Sequence, residues 1–250
     1  MIPNLLRELD WQIKNIVNLS APVFKKTLKY PEKLTQGFSD QKKSRYQYIA
    51  QKYDLTSWST TCNEQEFIEN LYVLDICDQF IENTRPALSL DIGSKNWSYF
   101  PALRSFTQGT WHGVEIDAHR RYRNMTTRMG YAKYMMQECG QCRYFPESLL
   151  NINATYSFIT WFLPFVKINP LRYWGLPDRY FEPEKLLQHA VQLLAPNGQM
   201  LIVNQGDEEA EIQKSLLNSL RINARFLGEL QSPFNPYSHP RLGWVVSKSL

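Results

Sequence analysis

The stretch Leu88 to Asp117, LSLDIGSKNWSYFPALRSFTQGTWHGVEID, constrains the fold of this chain more than any other. It opens on Ser89 to Ile92, alternating and branched residues that run into Asp91 and Gly93 and read as the carboxyl end of a buried parallel strand. Asn96 is placed to cap a helix carrying Tyr99, Ala102, Leu103 and Phe106, which would turn backbone N–H groups of the bend toward a ligand. A second strand, Trp111 to Ile116, then ends in Glu115 and Asp117. These acids lie about 20 residues past the bend, the interval at which a nucleotide-binding strand–helix–strand unit carries its ribose-binding carboxylate.

Gly93 stands alone at the bend. A pyrophosphate must approach the backbone closely and calls for several glycines, so a dinucleotide suits this turn poorly. S-adenosylmethionine (SAM) has a ribose and an adenine but no phosphate, and one glycine can clear its methionine end. At these residues the chain resembles the class I SAM-dependent methyltransferases. D-I-G-S-K-N (91–96) stands where that family has its glycine-rich motif, and V-E-I-D (114–117) where it has the acid after the second strand. The pattern departs from the family at Lys95 and Trp97, where further glycines are usual.

The remaining chain is read from periodicity. Leu5, Leu6, Leu9, Ile13, Ile16 and Val17 recur at helical spacing and predict an amphipathic helix ending near Ser20 and Pro22. Asp40 can cap a second helix with Tyr46, Ile49, Ala50 and Tyr53 on one face. Residues 1–62 form an N-terminal helical extension, too short for a core of its own. The compact domain is expected over 63–250, starting at a capping box of Asn63 with Glu66 and a helix presenting Phe67, Leu71, Leu74, Cys77 and Ile81. A helix is predicted over Ala118 to Gln137 with Tyr122, Met125, Met129, Ala132 and Met136 inward, then strands at Arg143 to Phe145 and Tyr156 to Phe162. The segment Pro170 to Pro183 reads as an ordered aromatic loop. A helix from Pro183, a strand Met200 to Val203, a helix capped by Asp207 and two closing strands near Ala224 to Leu230 and Leu242 to Ser247 complete the order.

Strand–helix repeats closed by a strand pair are an α/β arrangement. Together with the P-N-G turn (196–198), they extend the resemblance over roughly Asn63 to Leu250. It implies a Rossmann-like three-layer α/β/α sandwich with a seven-stranded, mostly parallel sheet and an antiparallel last strand.

Composition narrows the function classes. Twenty-eight Lys and Arg against 24 Asp and Glu leave a charge of +4, too balanced to argue for nucleic acid or an anionic membrane as partner. Local crowding of Lys25, Lys26, Lys29, Lys33, Lys42, Lys43 and Arg45, and of Arg120, Arg121, Arg123 and Arg128, reads as solvated faces in preference to an anion-binding surface. No run approaches the ~18 apolar residues of a membrane span, the start has no signal-peptide pattern, and sparse cysteines suit a reduced, cytoplasmic protein. Cys139 and Cys142 form a lone CGQC, read as free thiols in preference to a redox pair. No second CxxC or HxxxH accompanies it, so no metal is expected.

The resemblance implies a methyltransferase using SAM on a small-molecule acceptor. It assigns cofactor contacts to Asp91, Ile92, Gly93 and Ser94 at the bend, to Glu115 and Ile116 after the second strand, and to Glu147 and Thr160 after the third and on the fourth. Glu115 would accept both ribose hydroxyls, and Asp91 would orient the methionine ammonium. Lys95 is expected to point to solvent. Methyl transfer from a sulfonium depends chiefly on alignment. A general base is needed only if the acceptor loses a proton, and His112, His239, Tyr173 and Asp178 are nameable without one being assigned. Tyr173, Trp174, Tyr180 and Phe181 could pack on an acceptor. Two other readings stay open: a methyltransferase-like binding or regulatory protein without turnover, and a nicotinamide-dependent oxidoreductase, which the missing glycines and the closing strand pair disfavour.

Overall fold

The computed structural model describes residues 2–17, 23, 28, 31–82 and 87–248. Along them run α1 (Asn4–Ile16), α2 (Pro31–Gln36), α3 (Asp40–Lys52), α4 (Trp58–Thr61), α5 (Glu64–Phe80), β1 (Leu88–Ile92), α6 (Phe100–Thr107) and β2 (Thr110–Val114). Then follow α7 (Arg128–Met135), β3 (Arg143–Phe145), β4 (Tyr156–Phe162), α8 (Ile168–Tyr173), α9 (Pro183–Gln192), β5 (Leu194–Gln205), α10 (Gly206–Ser219), β6 (Ala224–Glu229) and β7 (Arg241–Ser247). The described strands form a seven-stranded sheet in the order β3-β2-β1-β4-β5-β7-β6. The first five strands are parallel, and β7 runs antiparallel between β5 and β6. Because chain order reverses between β1 and β4, a crevice opens at their carboxyl ends.

Both faces of the sheet are covered, which is why its central strands carry apolar side chains on both sides. Leu71, Leu74, Leu103 and Phe106 of α5 and α6 pack with Trp111 and Phe158 on one face, and Leu187, Ala190 and Leu217 of α9 and α10 with Ile159 and Ile202 on the other. The expected three-layer architecture is therefore present. Ile49 and Trp58 from the N-terminal helices join the first of these clusters. The capping box is as read: Glu66 N donates to Asn63 Oδ1 (2.9 Å) and Asn63 N to Glu66 Oε2 (3.0 Å).

Several local expectations need correction. The helix expected over Ala118 to Gln137 forms only as α7, because Tyr122 N donates to the Thr126 carbonyl, Arg121 pairs with Thr127, and Thr127 Oγ1 caps the helix at Gly130 N (3.0 Å). Asn96 does not cap α6; Asn70 of α5 does the work, its Oδ1 accepting from Ala102 N at 2.7 Å. Asp207 does not cap α10, where Glu209 Oε2 instead accepts from Gln205 N (2.9 Å), and Ser39, not Asp40, caps α3. Part of the aromatic loop is helical, as α8 and a 3-10 turn at Asp178–Tyr180. Cys139 and Cys142 are joined in a disulfide, not free. Ser20, Pro22, Lys25, Lys26 and Lys29 lie outside the described residues.

The first helix is amphipathic as read, and its apolar face is turned outward. Leu5, Leu6, Leu9, Ile13 and Ile16 are 70, 53, 47, 59 and 80% exposed. Its polar side meets the domain: Arg7 pairs with Asp178 (2.7 Å), Glu8 with Arg179 (3.0 Å), and the Trp11 ring lies 5.1 Å from that of Tyr180. Among the described residues, no helix is long and apolar enough to cross a membrane.

Candidate active site

Gly93, Lys95 and Trp97 alternate along the bend after β1, with φ of 69°, 53° and 56°. Left-handed backbone is free for glycine but costs other residues roughly 1–2 kcal/mol each, so the surroundings must hold Lys95 and Trp97 there. Gly93 N and Ser94 N both donate to the Val114 carbonyl (2.9 and 3.2 Å), and Trp97 N donates to the Ser94 carbonyl (2.8 Å). Lys95 N donates to Glu115 Oε2 (2.9 Å) and Tyr144 Oη to the Lys95 carbonyl. Trp97 is fully buried against Phe100 and Tyr144. It fits because β2 has a glycine beneath it: a Cβ on Gly113 would stand 2.9 Å from the indole. The bend thus keeps a glycine-like winding with a tryptophan anchor. Its N–H groups at 93, 94, 95 and 97 are spent within the chain, contrary to the expectation that they face a ligand.

Across the bend, Glu115 is buried and aimed back at it. Oε1 accepts from Asp117 N (2.8 Å) and Arg128 Nη1 (3.3 Å), and Oε2 from Lys95 N. A carboxylate offers about four lone-pair directions, so one remains, on Oε2. This corrects the expectation of two ribose hydroxyls at Glu115. Arg128 also reaches Asp117 Oδ2 (3.3 Å). Burial works to lower its pKa, but the two carboxylates outweigh that and hold it above the ordinary value.

Of the eight expected contacts, Ile92, Gly93, Glu115, Ile116 and Glu147 line one cavity of about 760 Å³, a volume typical of small-molecule sites. Asp91, Ser94 and Thr160 do not line it; they are fully buried. Register explains this: Asp91 and Thr160 are lateral partners on β1 and β4, so their side chains share a face, and Thr160 Oγ1 donates to Asp91 Oδ1 (2.7 Å). Tyr99 Oη donates to Asp91 Oδ2 (3.0 Å), and Ser94 Oγ to the Asp91 carbonyl (2.7 Å). Burial pushes the Asp91 carboxyl up to about 7 against the pull of those bonds.

Trp174 roofs the acid side. Arg128, Lys95 and Arg120 place their charged groups 4.9, 5.6 and 5.7 Å from its ring centroid, distances at which a cation is held by the ring's quadrupole. Lys95 therefore lines the cavity, with burial pulling its ammonium below the ordinary range. Tyr173 and Tyr180 also line it, whereas Phe181 does not. Among the named bases only Tyr173 does: His112 bonds Tyr156 Oη (3.0 Å) and Asp178 is paired with Arg7 and Arg172. Sequence reasoning missed Glu69 and Tyr72 on α5, Tyr99 at the start of α6, and Tyr237 and Arg241 before and at β7, all on the cavity wall. The α5 pair sits within one helical turn, a signal hidden because the helix is buried on every side from Asn70 to Cys77, its polar Asn70 and Asp75 included.

No known family profile matches the sequence, and no characterised protein matches it by sequence. Solved structures do resemble it. A methyltransferase from Pyrococcus furiosus superposes with a TM-score of 0.51 at 13% identity, over 85% of this chain and 100% of that one. Magnesium protoporphyrin IX methyltransferase (ChlM) from Synechocystis PCC 6803, with bound SAM, gives 0.46 at 12% over 90% and 100%. The N-methyltransferase NodS from Bradyrhizobium japonicum WM9 gives 0.48 at 11% over 75% and 98%. At such identities the likeness is one of architecture: this chain has the Rossmann-like methyltransferase fold.

Proposed function

We propose that the chain is a SAM-dependent methyltransferase acting on a small-molecule acceptor. The observation that carries this is the pairing of a left-handed bend at Gly93, Lys95 and Trp97 with a carboxylate facing it in one cavity at the switch point of the sheet. The residues fit SAM. A Cβ at Gly93 would meet nothing within 4 Å, so the bend is clear on its ligand side. Glu115 keeps an acceptor direction for a ribose hydroxyl, and Ile116, Glu147 and Ser148 supply the wall beyond β2 and β3 where an adenine would rest. When bound, SAM supplies an electrophilic methyl on a sulfonium.

The chain's own groups bind, orient and exclude water. Glu115 holds the sugar, Trp174 and its three cations close the side over the acid, and Phe162 and Leu163 follow β4 toward the reacting end. Asp91 acts from below as a positioning residue, through Tyr99 and Thr160. Glu69 is the carboxylate we assign to take a proton if the acceptor loses one; it lines the cavity, and Tyr237 Oη (2.9 Å) and Ser98 Oγ (2.8 Å), both donating to it, fix its orientation.

One feature favours a second reading, a binding protein without turnover: Glu115 is already largely engaged by the chain. Incubating the protein with SAM and a metabolite extract, and following S-adenosylhomocysteine by mass spectrometry, separates the two. Product that accumulates only with extract supports the enzyme. SAM bound but never consumed supports the binding protein.

A further inference from the structure

Arg241 opens β7 opposite Gln205, at the far end of the cavity from Glu115. It is 7% exposed, stacks 4.2 Å over the Tyr237 ring, and donates to Gln205 Oε1 (3.2 Å) and the His239 carbonyl (3.4 Å). Among the described residues it has no ion pair. Neutral oxygens satisfy donors without cancelling charge, and a desolvated cation lacking a counter-ion is costly. Burial accordingly holds its pKa below the ordinary value, with Tyr237, Tyr72 and Glu209 opposing. Of the nearby carboxylates, Glu69 is engaged by Tyr237 and Ser98, Glu209 by Gln205 N and Asp75 by Arg45, while Glu229 acts on Tyr72 from a distance. Beside it Tyr72, buried and edge-on to Tyr237 at 5.5 Å, has a hydroxyl with no partner among the described residues.

We propose that Arg241 and Tyr72 receive an oxyanion, carboxylate or phosphate, carried by an aromatic acceptor. The assignment rests on the methyl-transfer reading above. Strands lie about 4.8 Å apart, so Arg241, three strands from β1, stands on the order of 14 Å from the bend. With the methyl end over β1 and β4, nucleophile and oxyanion are separated by roughly 12 Å. Tyr99 and Phe162, their ring centroids 5.2 Å apart, line the cavity at its β1 and β4 end and suit an aromatic body.

Calorimetry with 3-phenylpropanoate and phenyl phosphate, against 3-phenylpropanamide and benzyl alcohol, tests this, with S-adenosylhomocysteine titrated separately. At least one anion should bind tenfold or more tighter than its neutral partner, and which one binds identifies the oxyanion. Arg241→Gln should erase that preference and leave S-adenosylhomocysteine affinity within twofold. Tyr72→Phe, which removes only a hydroxyl, should weaken the anion at least threefold and covers the case that Arg241→Gln does not fold. Equal binding of anion and neutral partner, no anion binding, or a preference that survives both variants overturns the receptor. Anion preference without S-adenosylhomocysteine binding leaves the receptor standing and removes the cofactor assignment instead.

The outward face of α1 carries an independent inference. Leu6, Leu9, Ile13 and Ile16 step by three, four and three residues, the seam of a coiled coil, while Arg7, Glu8 and Trp11 are used against the domain. The charges of the helix, Arg7, Glu8, Asp10 and Lys14, sum to zero, and the cationic rim of a membrane-surface helix is lacking. With Leu5 flanking the four seam residues, five exposed side chains offer roughly 600 Å² per copy, so a symmetric pair would bury about 1,200 Å², the lower end of stable interfaces. We infer that the α1 seam pairs with α1 of a second copy. Sedimentation velocity of the full chain from 1 to 100 µM should give a dimer, and Leu9→Lys with Ile13→Lys, both outside the core, should give a folded monomer. A wild type that stays monomeric, a dimer that survives the double substitution, or a monomer that floats with phosphatidylserine vesicles through this face would overturn it.

Discussion

The backbone N–H of Lys95 donates to Glu115 Oε2 across 2.9 Å, tying the bend after β1 to the end of β2. One carboxylate therefore shapes the bend and faces the cofactor position. Glu115→Ala should weaken SAM binding by about 1–3 kcal/mol, the range for a lost charge-assisted bond. It should also lower stability, since Arg128 is left buried with Asp117 as its sole close carboxylate. Glu115→Gln, which keeps an acceptor oxygen, should fall between wild type and alanine. Calorimetry and urea unfolding on the same preparations check both effects.

The two left-handed residues should respond oppositely to glycine. At Lys95 the side chain is not needed to hold the bend, so Lys95→Gly removes a left-handed cost of about 1 kcal/mol and should raise the melting temperature slightly. At Trp97 the indole fills the space over Gly113, so Trp97→Gly should cost about 3–5 kcal/mol through cavity formation. Paired thermal melts decide; equal effects would mean the anchor has been misassigned.

Asp91 sets a pH dependence whose sign follows from burial. Its folded pKa, about 7, lies above the unfolded value near 4. The folded state then holds the proton more tightly, so this contribution to stability is complete below about pH 4 and is lost as pH rises through about 7. Asp91→Asn is neutral throughout. The stability of wild type minus that of Asp91→Asn should fall by a few kcal/mol between pH 4 and 8, as read from denaturant unfolding at each pH.

The succession of strands and helices and the Asn63–Glu66 box were legible because each rests on local periodicity or cap chemistry, whereas the antiparallel closure of the sheet was implied by the family resemblance. Gly93 and Glu115 were legible as ends of adjacent strands. Thr160 was misplaced because its orientation depends on pairing with Asp91 across 69 positions, which spacing does not encode. The same holds for Arg241 and Tyr72, brought to one wall by β7 and α5 from opposite ends of the chain. The α1 face was identified correctly as apolar, but not its direction, which is set by ion pairs to Asp178 and Arg179.

The most direct measurement is calorimetric titration of the folded protein with S-adenosylhomocysteine and SAM, wild type beside Glu115→Ala. The account predicts one-to-one binding at micromolar concentration that is weakened roughly fivefold or more in the variant. Absence of heat up to high-micromolar ligand, or equal affinity in the two proteins, would contradict it.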